Sequence, residues 1–183
     1  MSTDLLESVK DGVAVLTMNR PERLNALSPQ MLEAMVEALP RLGEDPGVGV
    51  VILTGAGRAF CAGGDVKAMA EGREFGEGTL EEKAQALRSR MEVSRWLHEM
   101  PKPTIAMVRG AAAGAGLSLA LACDLRIAAD NAKFTSVWVK RGLVPDMGVT
   151  YILPHLLGMS KALELMYTGD VIDAREAERI GLV

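Results

Sequence analysis

The stretch Thr104-Ile105-Ala106-Met107-Val108-Arg109-Gly110-Ala111-Ala112-Ala113-Gly114-Ala115-Gly116-Leu117-Ser118 passes from an apolar β-type run, through a loop of tiny residues, into a helix-type pattern ending near Ala122. The same order occurs upstream. Val48 to Leu53 reads as a short buried strand, and Ala59-Phe60-Cys61-Ala62-Gly63-Gly64-Asp65-Val66-Lys67 follows it, with a helix expected from about Asp65. Strand, loop and helix repeated in this way predict an α/β fold with largely parallel strands. Both loops have the makings of an anion site. N–H groups at a helix N-terminus lack intrahelical partners, carry the positive end of the dipole, and are approached closely only where side chains are small. Two such loops aimed at one oxygen would stabilise an enolate or tetrahedral oxyanion without any acid or base.

Working outward, Leu5 to Val9 and Val13 to Met18 predict a hairpin turning at Asp11-Gly12. Ser28-Pro29 opens a helix to about Leu42, with Leu32, Met35, Val36 and Leu39 as its apolar stripe. The charged, glycine-rich segment Glu71 to Gly78 reads as a loop near a site, before a long helix from about Leu80 to Met100. Asp124 to Ala128 reads as a strand, and helices are expected at Met147 to Leu157, Lys161 to Tyr167 and Ala174 to Ile180. No linker divides this order, so residues 1–183 are read as a single domain.

Composition narrows the function. The chain has 183 residues, 49% hydrophobic and 24% charged, which suits one well-buried soluble domain. A net charge of −4 with 4% aromatics offers neither a phosphate-tracking stripe nor a stacking platform, so nucleic acid is not an expected partner. Met1 is followed by Ser2, Thr3 and Asp4 rather than a basic segment and apolar core, and no apolar stretch suits a bilayer span. The expectation is a cytoplasmic protein with no membrane partner. Cys61 and Cys123 are too far apart for a CxxC pair and only His98 and His155 accompany them, so no metal site is expected and both thiols read as packed and reduced.

Three motifs in order resemble the enoyl-CoA hydratase/isomerase family, the crotonase superfamily. They are Asn19-Arg20-Pro21 with Asn25-Ala26-Leu27, then Ala59 to Asp65, then Gly110 through Ala122-Cys123-Asp124. The resemblance covers essentially the whole chain. It implies a crotonase-like spiral of repeated β-β-α units, acyl-CoA thioester substrates with coenzyme A as part of the substrate and no other cofactor, and association as homotrimers or hexamers. It also implies that the chain stops at Val183 before the C-terminal trimerisation helices that members of the family carry.

Carried over residue by residue, the family's oxyanion hole falls on the N–H groups of Gly64 and Ala115. Alanine at the second position is compatible if its φ stays negative. The resemblance places Arg23 to Ala26, Ala62 and the segment Gly64, Asp65, Val66 and Lys67 along the coenzyme A moiety. Arg23 or Lys67 would meet its phosphates, or stand as a solvated surface charge.

The two glutamates of hydratases resembling this chain align to Ser118 and Trp138, so both carboxylates are absent and ordinary hydration should be weak. Ser118 reads as a small helix residue, since neither histidine is placed to activate it. Trp138 reads as a wall of the acyl pocket or as core filling. A different carboxylate stands in Gly142-Leu143-Val144-Pro145-Asp146-Met147-Gly148-Val149-Thr150, where isomerase-type members resemble this pattern and use the aspartate as base. Asp146 is therefore expected either as a base with its pKa raised by apolar neighbours such as Val144 and Met147, or as an N-cap. Enoyl-CoA isomerisation leads. A related lyase, hydrolase or aryl-CoA dehalogenase is the alternative, since Trp138 and Asp146 stand eight apart as the tryptophan and nucleophilic aspartate do in 4-chlorobenzoyl-CoA dehalogenases. Met91 and Gly64 depart from that pattern, where those enzymes resemble this chain with histidine and phenylalanine. A catalytically quiet acyl-CoA-binding protein is the reading from another class.

Overall fold

Strands β1 (Leu5–Lys10) and β2 (Val13–Met18) form the expected hairpin, paired from Leu5 with Met18 to Lys10 with Val13. Asp11 and Gly12 at its turn have φ of 51° and 78°, the left-handed pair whose twist matches that of the flanking strands. The computed structural model describes residues 3–65 and 78–183. The helix expected from Asp65, most of the Glu71 to Gly78 loop, and Val66 and Lys67 fall outside the described residues.

Strands β3 (Val50–Gly55), β4 (Thr104–Val108) and β6 (Leu125–Ala128) join the hairpin in a five-stranded sheet ordered β1-β2-β3-β4-β6, parallel except for β1. A second sheet pairs β5 (Ala111–Ala113) parallel to β7 (Lys133–Thr135), and β7 antiparallel to β8 (Val171–Asp173). These three short strands were not expected from the sequence. Ala111 to Ala113 is half of a small-residue loop by composition and becomes a strand only through distant partners.

Helix α1 (Pro29–Glu44) begins as read, with Ser28 Oγ accepting from Met31 N–H at 3.1 Å. It buries Met31, Leu32, Met35, Leu39 and Leu42 against the sheet's core and continues through Pro40. Helix α2 (Leu80–His98) opens with a reciprocal cap: Thr79 Oγ1 accepts from Glu82 N–H and Glu82 Oε2 accepts from Thr79 N–H. Helix α3 (Ala115–Ala122) is apolar on every side and buried from Gly116 onward, as a helix at the centre of a core must be. Helices α4 (Val149–Leu157), α5 (Met159–Thr168) and α6 (Ala174–Arg179) follow. Thr104 and Asp124 clasp β4 to the start of β6: Thr104 N–H donates to the Asp124 carboxylate at 2.7 Å and Asp124 N–H to Thr104 Oγ1 at 2.8 Å. The chains leaving the carboxyl ends of β3 and β4 become the two small-residue loops, so parallel pairing alone brings them side by side.

Candidate active site

The two loops are stitched together by backbone. Cys61 N–H donates to Ala111 O and Ala113 N–H to Cys61 O, each at 3.0 Å. Contact is so close that a Cβ on Gly116 would stand 2.2 Å from Cys61 O, and one on Gly63 would stand 2.8 Å from Ala113 O and 3.5 Å from Ala115 N. Only glycine admits this approach. Ala115 is the first residue of α3, its φ is not among the positive values, and its N-cap Gly114 offers no side chain to its N–H groups. Among the described residues neither the Gly64 N–H nor the Ala115 N–H has a protein acceptor, so both donors remain for a ligand.

Asn25 anchors the loop on the other side. Fully buried with φ of 56°, it donates through Nδ2 to Ala56 O and Ala59 O at 2.8 Å and accepts from Arg20 N–H at 2.9 Å. Leu27 N–H donates to Gly63 O at 2.8 Å, and Arg20 bridges to Asp65 at 3.2 Å while donating to Ala26 O at 2.7 Å. Asp65, expected to border a substrate, is thus an ion-pair partner that ties the 20–26 loop to the glycine loop. Sequence reading found the motif holding Arg20 and Asn25 and missed what they do; a buried-type asparagine beside an arginine was the available signal.

These elements enclose a cavity of about 710 Å³, within the range of small-molecule sites. Arg23, Ala26, Ala62, Gly64, Asp65, Ala115, Trp138 and Asp146 all line it, whereas Leu24 and Asn25, within the expected 23–26 segment, do not. Arg90 and Arg141 also line it and went unread. Ser118 does not line it; its Oγ donates to the backbone O of Asp146 at 3.1 Å.

Asp146 and Asp65 are the carboxylates lining the cavity among the described residues, and Asp65 faces a guanidinium. Asp146 instead accepts from Trp138 Nε1 at 3.1 Å. Its pKa is raised, first by burial, with the Trp138 hydrogen bond opposing the rise. Met147 is a buried neighbour, but Val144 is 80% exposed and desolvates nothing, a correction to the expectation. The N-cap reading also fails: α4 starts at Val149 with Gly148 as N-cap and no side-chain capping bond. Asp146 sits before the helix because Met147 and Gly148 both take positive φ, 51° and 82°, which turns the chain and leaves the carboxylate facing the cavity. Trp138 is both core and wall, 3% exposed and lining the cavity.

Cys61 and Cys123 are free, buried thiols pushed up to about 12 by desolvation, so neither is a nucleophile at neutral pH. No group of three or more His, Cys, Asp or Glu gathers among the described residues, and no described helix is long and apolar enough to cross a membrane.

Known proteins share the sequence and the fold of this chain. The sequence profile of the enoyl-CoA hydratase/isomerase family matches residues 8–183. The chain is 43% identical to a crotonyl-CoA hydratase of Syntrophomonas wolfei over 95% of its own length and 65% of that protein's. It is 38% identical to a 1,2-epoxyphenylacetyl-CoA isomerase of Escherichia coli K12 over 98% of its length and 68% of the relative's. The crystal structure of an enoyl-CoA hydratase from Bacillus anthracis superposes with a TM-score of 0.90 at 36% identity, covering 99% of this chain and 69% of that one. The chain spans 63% to 65% of the length of mycobacterial relatives it matches at 40% to 41% identity. With the crotonase fold, the two joined glycine loops and the family profile in agreement, this chain belongs to the enoyl-CoA hydratase/isomerase family.

Proposed function

We propose that the site binds an acyl-CoA thioester, stabilises its enolate at the N–H groups of Gly64 and Ala115, and moves a double bond with Asp146 as the base. The observation that carries this reading is the Asp146 carboxylate, half-buried, steered by Trp138 Nε1 and lining the same cavity as both donors. In a 3-enoyl-CoA the Asp146 carboxylate removes a proton from the carbon next to the thioester carbonyl. Charge flows onto the thioester oxygen, where the two N–H groups hold the dienolate. The protonated Asp146 then returns the proton two carbons away, giving the 2-enoyl-CoA and regenerating the carboxylate.

Hydration needs a base for water and an acid for carbon. The second cavity-lining carboxylate, Asp65, is held by Arg20, which favours isomerisation over hydration although several relatives are named hydratases. The Trp138 to Asp146 hydrogen bond also favours a second reading, with Asp146 attacking an aryl-CoA ring as nucleophile. Met91 and Gly64, where the dehalogenases carry histidine and phenylalanine, count against it. Parallel assays of 3-enoyl-CoA isomerisation, 2-enoyl-CoA hydration and halide release from a 4-halobenzoyl-CoA separate these readings. Isomerisation alone is expected; hydration or halide release exceeding it would displace the proposal.

A further inference from the structure

The charged side chains that line the cavity among the described residues are four arginines and two aspartates. Arg20 and Asp65 pair with each other, which leaves Arg23, Arg90 and Arg141 against the carboxylate of Asp146. Such an excess of guanidinium, in a chain whose net charge is −4, suits an anionic ligand. Coenzyme A is one source of negative charge, and Arg23 stands on the 20–26 loop where the family resemblance lays its phosphates. Arg141 belongs instead to the segment that carries Trp138 and Asp146. We infer that Arg141 recognises a carboxylate at the far end of the acyl group, so that the preferred substrates are CoA thioesters of dicarboxylic acids. This inference rests on the acyl-CoA reading above.

Placement is the first argument. The segment from Trp138 to Asp146 is closed at its base by the Trp138 Nε1 bond to the Asp146 carboxylate, and across its turn by Leu143 N–H donating to Trp138 O at 3.0 Å, with Gly142 at φ of 67°. Arg141 lies within that closed loop, so its backbone is held relative to the base. Availability is the second argument. The neighbouring Lys140 has Asp170 at 3.8 Å and Arg90 has a partner of its own, whereas Arg141 has no ion-pair or hydrogen-bond partner for its side chain among the described residues. Val137 and Leu143 beside it on the cavity wall are apolar, and the Trp138 N–H is taken by Asp146. Arg141 is thus the group on that wall able to hold a charged end, and its planar fork matches a carboxylate bidentately. Separation is the third argument. The Asp146 pKa is raised by burial and opposed by hydrogen bonds, with no neighbouring cation contributing. Arg141 therefore stands far enough away to leave the base its proton affinity, and an anion held there sits beyond the reacting carbon.

The test is calorimetric binding of glutaryl-CoA, adipyl-CoA, suberyl-CoA and the neutral hexanoyl-CoA to the full chain and to its R141M and R141K variants. All four ligands are saturated, so the readout does not depend on turnover, and the exposed Arg141 side chain holds no contact that the fold needs. The unaltered chain is expected to bind at least one of the three diacid thioesters about tenfold more tightly than hexanoyl-CoA, as a charge-assisted pair would give. In R141M that preference is expected to fall by about tenfold, with R141K, which keeps the charge without the fork, between the two. Equal losses for diacid and neutral thioesters in R141M would assign Arg141 to the coenzyme A part they share and overturn the inference. So would an unchanged preference in R141M, or hexanoyl-CoA binding at least as tightly as every diacid thioester to the unaltered chain. Each of these results leaves the acyl-CoA reading intact. Failure of the unaltered chain to bind any of the four would overturn both.

Discussion

Ser118 Oγ donates to the backbone oxygen of Asp146 at 3.1 Å. Ser118 occupies one of the two positions where the family resemblance places a hydratase glutamate. Trp138 occupies the other, and its Nε1 donates to the Asp146 carboxylate at 3.1 Å. The residues at both positions thus hydrogen-bond to Asp146, Ser118 at its backbone oxygen and Trp138 at its carboxylate. One holds its backbone and the other its side chain, which supports the proposal that Asp146 is a positioned base.

Replacing Asp146 with Asn keeps the acceptor for Trp138 and removes the base. Isomerase activity should fall by about 10²- to 10⁴-fold, measured as kcat/KM on a 3-enoyl-CoA. Stability should move the opposite way. Because burial raises the Asp146 pKa above 3.8 in the folded state, the folded chain holds more protons than the unfolded one between 3.8 and the raised value, so stability falls as pH rises through that window. D146N escapes this loss. Denaturant unfolding should find it at least as stable as the unaltered chain at pH 7, with its advantage gone at pH 3.

Trp138→Phe removes the one hydrogen bond from another side chain that opposes the burial effect on Asp146. The acid limb of the kcat/KM profile should therefore move to higher pH, with loss of activity that is largest below the new limb. A Trp138→Phe profile superimposable on the original would show that the hydrogen bond does not tune the base.

Ser118→Ala should cost about 1 kcal/mol of stability, the net worth of a typical hydrogen bond, because the Asp146 backbone oxygen keeps its second donor, Val149 N–H at 3.2 Å. Its effect belongs in kcat rather than KM if positioning is what it contributes, and steady-state kinetics separates the two.

Much of the fold was legible because its signals are local. The Asp11-Gly12 turn, the Ser28-Pro29 helix start and the strand Thr104 to Val108 all occur where residue type and periodicity placed them. The strands β5, β7 and β8 were not, since three residues of alanine or mixed character become strand only through partners far along the chain. The start of α4 was displaced for a similar reason. Of the two consecutive left-handed residues, Gly148 takes a conformation natural to glycine, whereas Met147 takes one that its own preference disfavours, and nothing in Pro145-Asp146-Met147 announces it. The site residues were legible as a motif, but the reason they meet was not: it lies in the close backbone contact of Gly116 with Cys61 and in the buried Asn25 hub.

That contact can be challenged directly. In Gly116→Ala the new Cβ would meet a backbone oxygen and not a flexible side chain, so α3 must shift away from the glycine loop. Overpacking of this kind costs about 1 to 3 kcal/mol, and it also moves the Ala115 N–H. Activity should fall further than the stability loss alone explains, as judged by kcat at temperatures where the variant remains folded.

Asn25→Ala strips three carbonyl oxygens and the Arg20 N–H of their partner and puts alanine at φ of 56°. The expected loss is on the order of 3 kcal/mol, read from the denaturation midpoint.

The central claim is that Asp146 removes a proton from the carbon beside a thioester whose oxygen is held by Gly64 and Ala115. Its most direct measurement is deuterium uptake at that carbon when an acyl-CoA is incubated with the protein in D₂O, followed by NMR for the unaltered chain and for D146N. The account predicts exchange catalysed by the first and abolished in the second, with acyl-CoA binding retained in both. Exchange continuing undiminished in D146N would contradict it.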